Sequence, residues 1–83
     1  MEKRILGKTG LEVGILGLGG ANHNRVSPEE LMCIIDRAEE AGANCLDLYW
    51  NCEELIAKTL RGRRDKFVLM SKIEISPGQV DKL

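Results

Sequence analysis

Three short apolar runs separated by two helix-like segments constrain the fold of this chain more than any other feature. The runs cover residues 15–19, 44–48 and 66–72, and the third is nearly continuous in apolar content, as buried parallel strands are. This alternation predicts an α/β fold with two right-handed crossovers and a three-stranded parallel sheet. The helices would cover one face. We expect leucine, valine and methionine side chains on the other face, with nothing among the 83 residues to cover them.

The first predicted helix has the clearest boundaries. Ser27 is a good N-cap residue, Pro28 suits the first helical position, and Glu30 completes a Ser-x-x-Glu capping box. Gly42 ends the helix, because glycine is the preferred residue just past a helix C-terminus. The apolar stripe of this helix consists of Leu31, Ile34, Ile35 and Ala38.

The remaining segments complete a single domain over residues 1–83. Residues 1–14 predict a β-hairpin, because extended runs flank Gly7 and Gly10, which supply the positive φ angles of a tight reversal. Residues 15–72 form the βαβαβ unit, whose second helix covers residues 52–60 with Asn51 as its cap. Residues 73–83 form a tail or loop. The inward side of the second helix consists of Leu55, Ile56, Thr59 and Leu60.

Special residues stand where the predicted strands end. Gly19 and Gly20 end the first strand, Asp47 stands near the end of the second, and Lys72 ends the third. The carboxyl ends of successive βα units are where barrel enzymes carry their active sites, so these positions predict an active-site rim. Structural interpretations stay open: the glycines can serve plain turn geometry, Asp47 can cap its turn, and Lys72 can be a solvated strand end.

Composition excludes several classes of function. Lys and Arg number 12 against 13 Asp and Glu, so the net charge of -1 offers no footprint for nucleic acid or for an anionic membrane. No apolar stretch approaches the roughly 20 residues of a membrane span, and the first residues lack the apolar core of a signal peptide. We therefore expect a cytoplasmic protein.

The cysteines, the histidine and a basic cluster all favour structural interpretations. The cysteine spacings match no zinc motif, so we predict no metal site and expect buried or half-buried thiols in a reducing compartment. His23 is interpreted as a solvated loop residue. The basic cluster follows the second helix, where the helix dipole favours cations, and is interpreted as a solvated face. It consists of Arg61, Arg63, Arg64 and Lys66.

Four stretches in order resemble the aldo-keto reductase family. The first contains residues 3–13 (KRILGKTGLEV) and 16–20 (LGLGG), which resemble the start of these enzymes, where a hairpin plugs the bottom of a (β/α)8 barrel. The others are residues 41–47 (AGANCLD), 53–60 (EELIAKTL) and 61–72 (RGRRDKFVLMSK). The resemblance covers nearly the whole chain up to residue 72. It implies a partial (β/α)8 TIM-barrel segment with parallel strands.

The resemblance also implies a chemistry. The family reduces carbonyl compounds with hydride from a nicotinamide cofactor, usually NADPH, and uses an Asp, Tyr, Lys and His tetrad. By position, Asp47 resembles the tetrad aspartate and Lys72 the tetrad lysine. An ammonium group beside a tyrosine favours the phenolate, and an aspartate keeps that ammonium charged and oriented. The positions Gly19, Gly20, Ala21 and Asp47 correspond to early cofactor-side contacts.

Tyr49 departs from the family pattern. Family members place the tyrosine about five residues after the aspartate and follow it with glycine, whereas Tyr49 comes two residues after Asp47 and precedes Trp50. Residues two apart in a strand point to the same side, so the Tyr49 hydroxyl can still reach the rim as proton donor. The alternative is that the shortened loop holds Tyr49 and Trp50 as packing aromatics.

Two function hypotheses follow from the sequence. The first is the N-terminal part of an NAD(P)H-dependent aldo-keto reductase, roughly its first three βα units, acting on a small carbonyl substrate. We expect this chain to be inactive alone, because the tetrad histidine and most of the cofactor cleft have no counterpart in it. The alternative is a truncated, non-catalytic small protein that acts as an oligomeric or partner-binding unit. In both cases we expect self-association or binding of the missing barrel portion.

Overall fold

The computed structural model describes residues 1–20, 25–49, 52–73 and 76–78, and within them the fold is mixed α/β. An antiparallel hairpin joins β1 (Lys3–Ile5) to β2 (Glu12–Gly14). A parallel sheet of order β3-β4-β5 follows, with helices α1 and α2 in its two connections. Its elements are β3 (Leu18–Gly19), α1 (Pro28–Ala41), β4 (Cys45–Asp47), α2 (Glu53–Thr59) and β5 (Val68–Met70). The predicted hairpin and three-stranded parallel sheet are confirmed.

Helix α1 begins and ends as its sequence predicts. The Ser27 hydroxyl accepts a hydrogen bond from the Glu30 amide at 3.1 Å, which satisfies a backbone donor that no helical carbonyl can reach. Gly42 ends the helix with φ 87°, the left-handed conformation that glycine adopts without steric cost. Leu31, Ile35 and Ala38 are buried, but Ile34 is 39% exposed and lies outside the core.

The strands are shorter than the apolar runs that predict them. Ile15 and Leu16 are exposed and do not pair in the sheet; the Ile15 amide instead donates to the Glu2 carbonyl beside the hairpin. At the other end, residues 64–66 form a turn of 3₁₀ helix before β5. β3 pairs with two residues of β4 and β5 pairs with three, so both ladders are short.

Asn44 attaches the hairpin to the sheet. Its side-chain oxygen accepts from the Gly14 amide and its side-chain nitrogen donates to the Glu12 carbonyl, both at 2.8 Å. Asn44 directly precedes β4, so the hairpin lies at the amino end of the parallel strands. The carboxyl ends of the strands are therefore the end away from the hairpin.

The core lies between the sheet and the two helices. Leu46, Leu48 and Phe67 are buried there, together with Leu31, Ile35, Cys52, Ile56 and Leu60. Side chains alternate along a strand, so the opposite face carries Cys45 and Asp47 from β4 and Val68 and Met70 from β5. The expectation that leucines occupy this open face is wrong, because the leucines of the strands pack on the helix side.

Arg63 contradicts the expectation of a solvated basic cluster. Its side chain is only 14% exposed, and its guanidinium donates to Asp36 at 2.6 Å and to Glu39 at 2.9 Å, both on α1. The same side chain donates to the Thr59 carbonyl at the end of α2. Arg63 and Lys66 together hold the pKa of the Glu39 carboxyl below its usual range, because both donate hydrogen bonds to the carboxylate. Arg63 thus ties the end of α2 to α1.

The helices and the cysteines bear on two further expectations. No helix in the described part of the chain is long and apolar enough to cross a membrane. Of the cysteines, Cys52 is buried and Cys45 half-buried as expected, but Cys33 is exposed on α1, which contradicts the expectation for that thiol.

Replacing Arg63 by methionine should lower the free energy of unfolding by about 1–3 kcal/mol, because methionine keeps much of the packing but removes the guanidinium that donates to the Thr59 carbonyl and to the Asp36 and Glu39 carboxylates. The exposed Arg37, which pairs with Glu40 at the surface, provides the control, and R37M should change stability by less than about 1 kcal/mol. Urea unfolding followed by circular dichroism measures both.

The loss in R63M should also depend on pH. A carboxyl whose pKa is lowered by folding contributes stability above the pKa of the unfolded chain and loses it as pH falls through the folded pKa. The difference between R63M and the parent protein should therefore shrink below about pH 4, where glutamate becomes protonated. A difference that is constant from neutral to acid pH would contradict the role given to Glu39.

Candidate functional site

The carboxyl edge of the parallel sheet brings the predicted strand-end residues together. Gly19 pairs with Asp47 across β3 and β4, and Asp47 pairs with Met70 across β4 and β5. One further backbone hydrogen bond, from the Leu48 amide to the Met70 carbonyl at 2.8 Å, continues the pairing past the end of β4. Lys72 follows β5 by two residues and turns back over this edge.

Lys72 and Asp47 form an ion pair at this edge. The Lys72 Nζ donates to Asp47 Oδ1 at 2.6 Å and to the Leu48 carbonyl oxygen at 2.8 Å. The side chains are 37% and 34% exposed respectively, so water screens the pair and its contribution to stability is small. The main effect of these contacts is to position the lysine. Oxygens of Asp47 and Leu48 hold the Lys72 ammonium over the end of β4.

Tyr49 lies at the same edge, although it follows Asp47 by only two residues. The Lys72 Nζ stands 4.0 Å from the centroid of the Tyr49 ring, within the range of a cation–π contact. The ammonium therefore contacts a carboxylate, a carbonyl and an aromatic face at once. Trp50, the other aromatic of the shortened loop, and the predicted cap Asn51 lie outside the described residues.

The backbone of Tyr49 is held by a thiol. Cys52 Sγ accepts from the Tyr49 amide at 3.2 Å and donates to the Tyr49 carbonyl at 2.8 Å. Cys52 is 1% exposed and directly precedes α2, where it makes no side-chain capping bond to the helix. From the sequence, Cys52 is expected only as a buried thiol, since a lone cysteine before a helix matches no motif.

Two neighbouring glycines at the end of β3 have different surroundings. Gly20 is buried, and a β-carbon there would collide with the Asp47 carbonyl oxygen and would lie 3.2 Å from the Leu48 Cα. A β-carbon at Gly19 would meet nothing within 4 Å. Gly20 thus lets the chain after β3 pass against β4, whereas Gly19 leaves open space beside Asp47. Ala21 and His23 lie outside the described residues.

Cys45 shares the open face with Asp47. Burial raises the pKa of its thiol, and the nearby Asp47 carboxylate raises it further, because both disfavour a thiolate. Cys45 therefore stays protonated at neutral pH. The described residues contain no group of three or more His, Cys, Asp or Glu side chains that could hold a metal ion.

The chain is similar to pyridoxal 4-dehydrogenase of Microbacterium luteolum, with 32% identity over 81 aligned residues. The alignment covers 87% of this chain but 24% of that protein, so the chain spans about a quarter of the length of this curated relative. No family model matches the sequence. No solved structure matches it. The similarity to a dehydrogenase agrees with the oxidoreductase class that the sequence motifs imply.

The two glycines give a matched pair of substitutions. G20A should lower the free energy of unfolding by about 1–3 kcal/mol, because its methyl group must push the chain away from the end of β4. G19A adds the same methyl group to open space and should change stability by less than about 1 kcal/mol. Urea unfolding compares them, and equal losses in the two variants would contradict the close approach assigned to Gly20.

Proposed function

We propose that this chain forms part of an aldo-keto reductase-type oxidoreductase that transfers hydride between a nicotinamide cofactor, NADPH or NADP⁺, and a small carbonyl compound or its alcohol. The observation that carries the proposal is the contact of the Lys72 ammonium with Asp47 and with the Tyr49 ring at the carboxyl edge of a parallel sheet. Barrel enzymes carry their active sites at that edge.

The layer arrangement supports a (β/α)8 barrel segment. Helices cover one face of the parallel sheet, and the opposite face carries Cys45, Asp47, Val68 and Met70, as the inner face of a barrel would. The hairpin is attached through Asn44 at the amino end of β4, which is the position of a plug at the bottom of a barrel. Residues 1–14 and 15–72 belong to one such segment in this proposal.

Tyr49, Lys72 and Asp47 have different roles in the proton transfer. Tyr49 donates its phenolic proton to the carbonyl oxygen as the carbonyl is reduced, and it takes a proton back in the reverse direction. Lys72 stabilises the phenolate left behind, because its ammonium lies next to the ring. Asp47 holds that ammonium in place and balances its charge. Hydride comes from the nicotinamide when the cofactor is bound.

The open space at Gly19 fits a flat ring. A β-carbon at this position would meet no atom within 4 Å, and the neighbouring strand presents Asp47 at the same level. A planar group can therefore lie against the backbone beside the ion pair. Gly19, Gly20 and Asp47 are the described residues that would contact the cofactor, and Ala21 follows them in the sequence.

The substrate class follows from the same chemistry. A phenolic proton donor beside a hydride donor suits an aldehyde or ketone oxygen, and the name of the similar Microbacterium luteolum enzyme designates an aldehyde, pyridoxal, as what that protein acts on. For this chain we propose a small carbonyl compound. Because Asp47 and Lys72 are about one-third exposed, the described residues do not exclude water from the site, and the 83 residues alone should show no turnover.

Replacing Lys72 by methionine tests the proposal in the natural protein that contains these 83 residues. With NADPH and a panel of small aldehydes, K72M should reduce kcat by about 100-fold or more, because the phenol loses the charge that assists proton transfer. Lys58 lies on the exposed side of α2, and K58M removes the same charge away from the site. That control should keep the parent activity.

Two results would contradict the proposal. One is parent-like reduction by a folded K72M protein, which would remove the lysine from the chemistry. The other is the absence of any nicotinamide-dependent oxidation or reduction by the natural protein across the panel. Turnover by the 83 residues alone would contradict the claim that the site needs further protein to exclude water.

A second candidate function is assembly, and the exposed apolar side chains favour it. A groove of about 500 Å³ between β3 and α1 is lined by apolar groups that include Leu16, Leu18, Ile34 and Ala41. Leu16 is 64% exposed and Ile73 75% exposed, and apolar surface of this kind is commonly covered by another protein surface. We propose that these residues bind a further protein surface, either another copy of this chain or the rest of a barrel.

Sedimentation velocity of the 83-residue chain tests the assembly proposal. We expect species larger than the 9.2 kDa monomer, and we expect the double variant L16K/I34K to shift the distribution towards monomer, because charged side chains oppose burial of the groove. A compact monomer at all concentrations would contradict the binding of this surface to another copy of the chain. The variant K8E/K58E, which changes exposed lysines elsewhere, is the control for charge.

A further inference from the structure

Cys52 satisfies both backbone polar groups of Tyr49. The thiol accepts from the Tyr49 amide at 3.2 Å and donates to the Tyr49 carbonyl at 2.8 Å, so its donor and its acceptor are both directed at one residue. The sulfur is buried, with Cys52 only 1% exposed. The Cys52 side chain, at the start of the following helix, therefore holds the backbone of Tyr49 through two hydrogen bonds.

Tyr49 lies past the end of the sheet. The backbone bond from the Leu48 amide to the Met70 carbonyl precedes it, and the ladder between β4 and β5 ends at Asp47 and Met70. Backbone polar groups that are removed from water need hydrogen-bond partners, and two hydrogen bonds to one side chain restrict the φ and ψ angles of Tyr49. The direction of the Tyr49 ring depends on which conformation its backbone takes.

We propose that Cys52 is the positioning residue that directs the Tyr49 ring onto the Lys72 ammonium. Its hydrogen bonds fix the backbone of Tyr49, and the fixed backbone places the ring 4.0 Å from Lys72 Nζ. This assignment deepens the proposed function, since it rests on Tyr49 as proton donor for its catalytic meaning. The dependence of the ring contact on the thiol is a property of the fold and holds without catalysis.

Capping of α2 and plain packing are the two structural roles that Cys52 could otherwise have. The thiol makes no capping bond to α2, although Cys52 occupies the N-cap position. Replacing Cys52 by serine and by alanine distinguishes packing from hydrogen bonding. Serine and alanine are similar in volume, so a packing role predicts similar effects for the two variants. Serine keeps a donor and an acceptor, whereas alanine keeps neither.

Nuclear magnetic resonance of the full 83-residue chain reads the contact directly. Tyr49 is the only tyrosine in the sequence, so its ring signals are unambiguous. Protons above the face of an aromatic ring are shifted upfield, so the ε-methylene protons of Lys72 should show this shift and a cross-relaxation signal to the Tyr49 ring. Both signals should be lost in C52A and kept in C52S.

Two control variants separate this effect from a general loss of stability. I56V shortens a side chain that is also 1% exposed and lies on α2, so it should weaken the fold but keep the Lys72 shift. C33A removes the exposed thiol of α1 and should also keep it. If C52A gives no dispersed amide spectrum, C52V fills the space without a polar group and should lose the shift in a folded chain.

A folded C52A or C52V chain that keeps the Lys72 shift and the signal to the ring would overturn the proposal. A folded C52S chain that loses both would overturn it as well. Enzyme kinetics provide a second measurement. In the natural protein, C52A should lower kcat more than it raises KM, and C52S should keep kcat near the parent value. If the parent protein has no reductase activity, the proposed function fails while the spectroscopic comparison still decides the role of Cys52.

Discussion

The register of β4 is the constraint on which the rest of the structure depends. Leu46 and Leu48 point into the layer between the sheet and the helices, and Asp47 between them points to the open face. Burial of the two leucines fixes this register, because a slip by one residue would expose both of them and bury the carboxylate. The hydrophobic core therefore determines where the acidic group of the site stands.

The site combines groups that contribute little to stability with a sheet edge that positions them. An ion pair that is about one-third exposed is worth about 1 kcal/mol or less, and ordering a lysine side chain costs about 1.5–2 kcal/mol. Contacts with the Leu48 carbonyl and the Tyr49 ring offset part of that cost. A surface that covered the open face would lower the local dielectric and strengthen each of these contacts. Assembly and chemistry are linked in this account through that covered face.

Much of the architecture could be predicted from the sequence because it depends on local signals. The Ser27 cap, the Gly42 stop and the parallel order of the strands all follow from residues close together in the chain. The length of each strand does not, because it depends on how far the neighbouring strand extends. The role of Arg63 was also missed, because its partners Asp36 and Glu39 lie on another helix and the helix dipole offered a simpler explanation.

The candidate site, like the fold, could be predicted from the sequence only in part. Motif order and strand ends were sufficient to select Asp47, Lys72 and Tyr49 as candidates, and the sheet edge brings these three together. The spacing of Tyr49 could not tell whether its ring faces the rim, since Tyr49 follows Asp47 by two residues and not by the five or so that the family resemblance implies. That direction depends on a contact with Cys52, whose thiol no motif singles out.

A crystal structure of the natural protein with a nicotinamide cofactor bound would test most directly whether the cofactor binds at the carboxyl edge of the sheet. In such a structure we expect Lys72 Nζ to contact an Asp47 carboxylate oxygen within about 3 Å. We also expect the Tyr49 ring to lie against that ammonium and the nicotinamide to lie beside Gly19 on the same edge. A β4 strand whose register places Leu46 on the cofactor side, or a nicotinamide bound at the hairpin end of the sheet, would contradict these expectations.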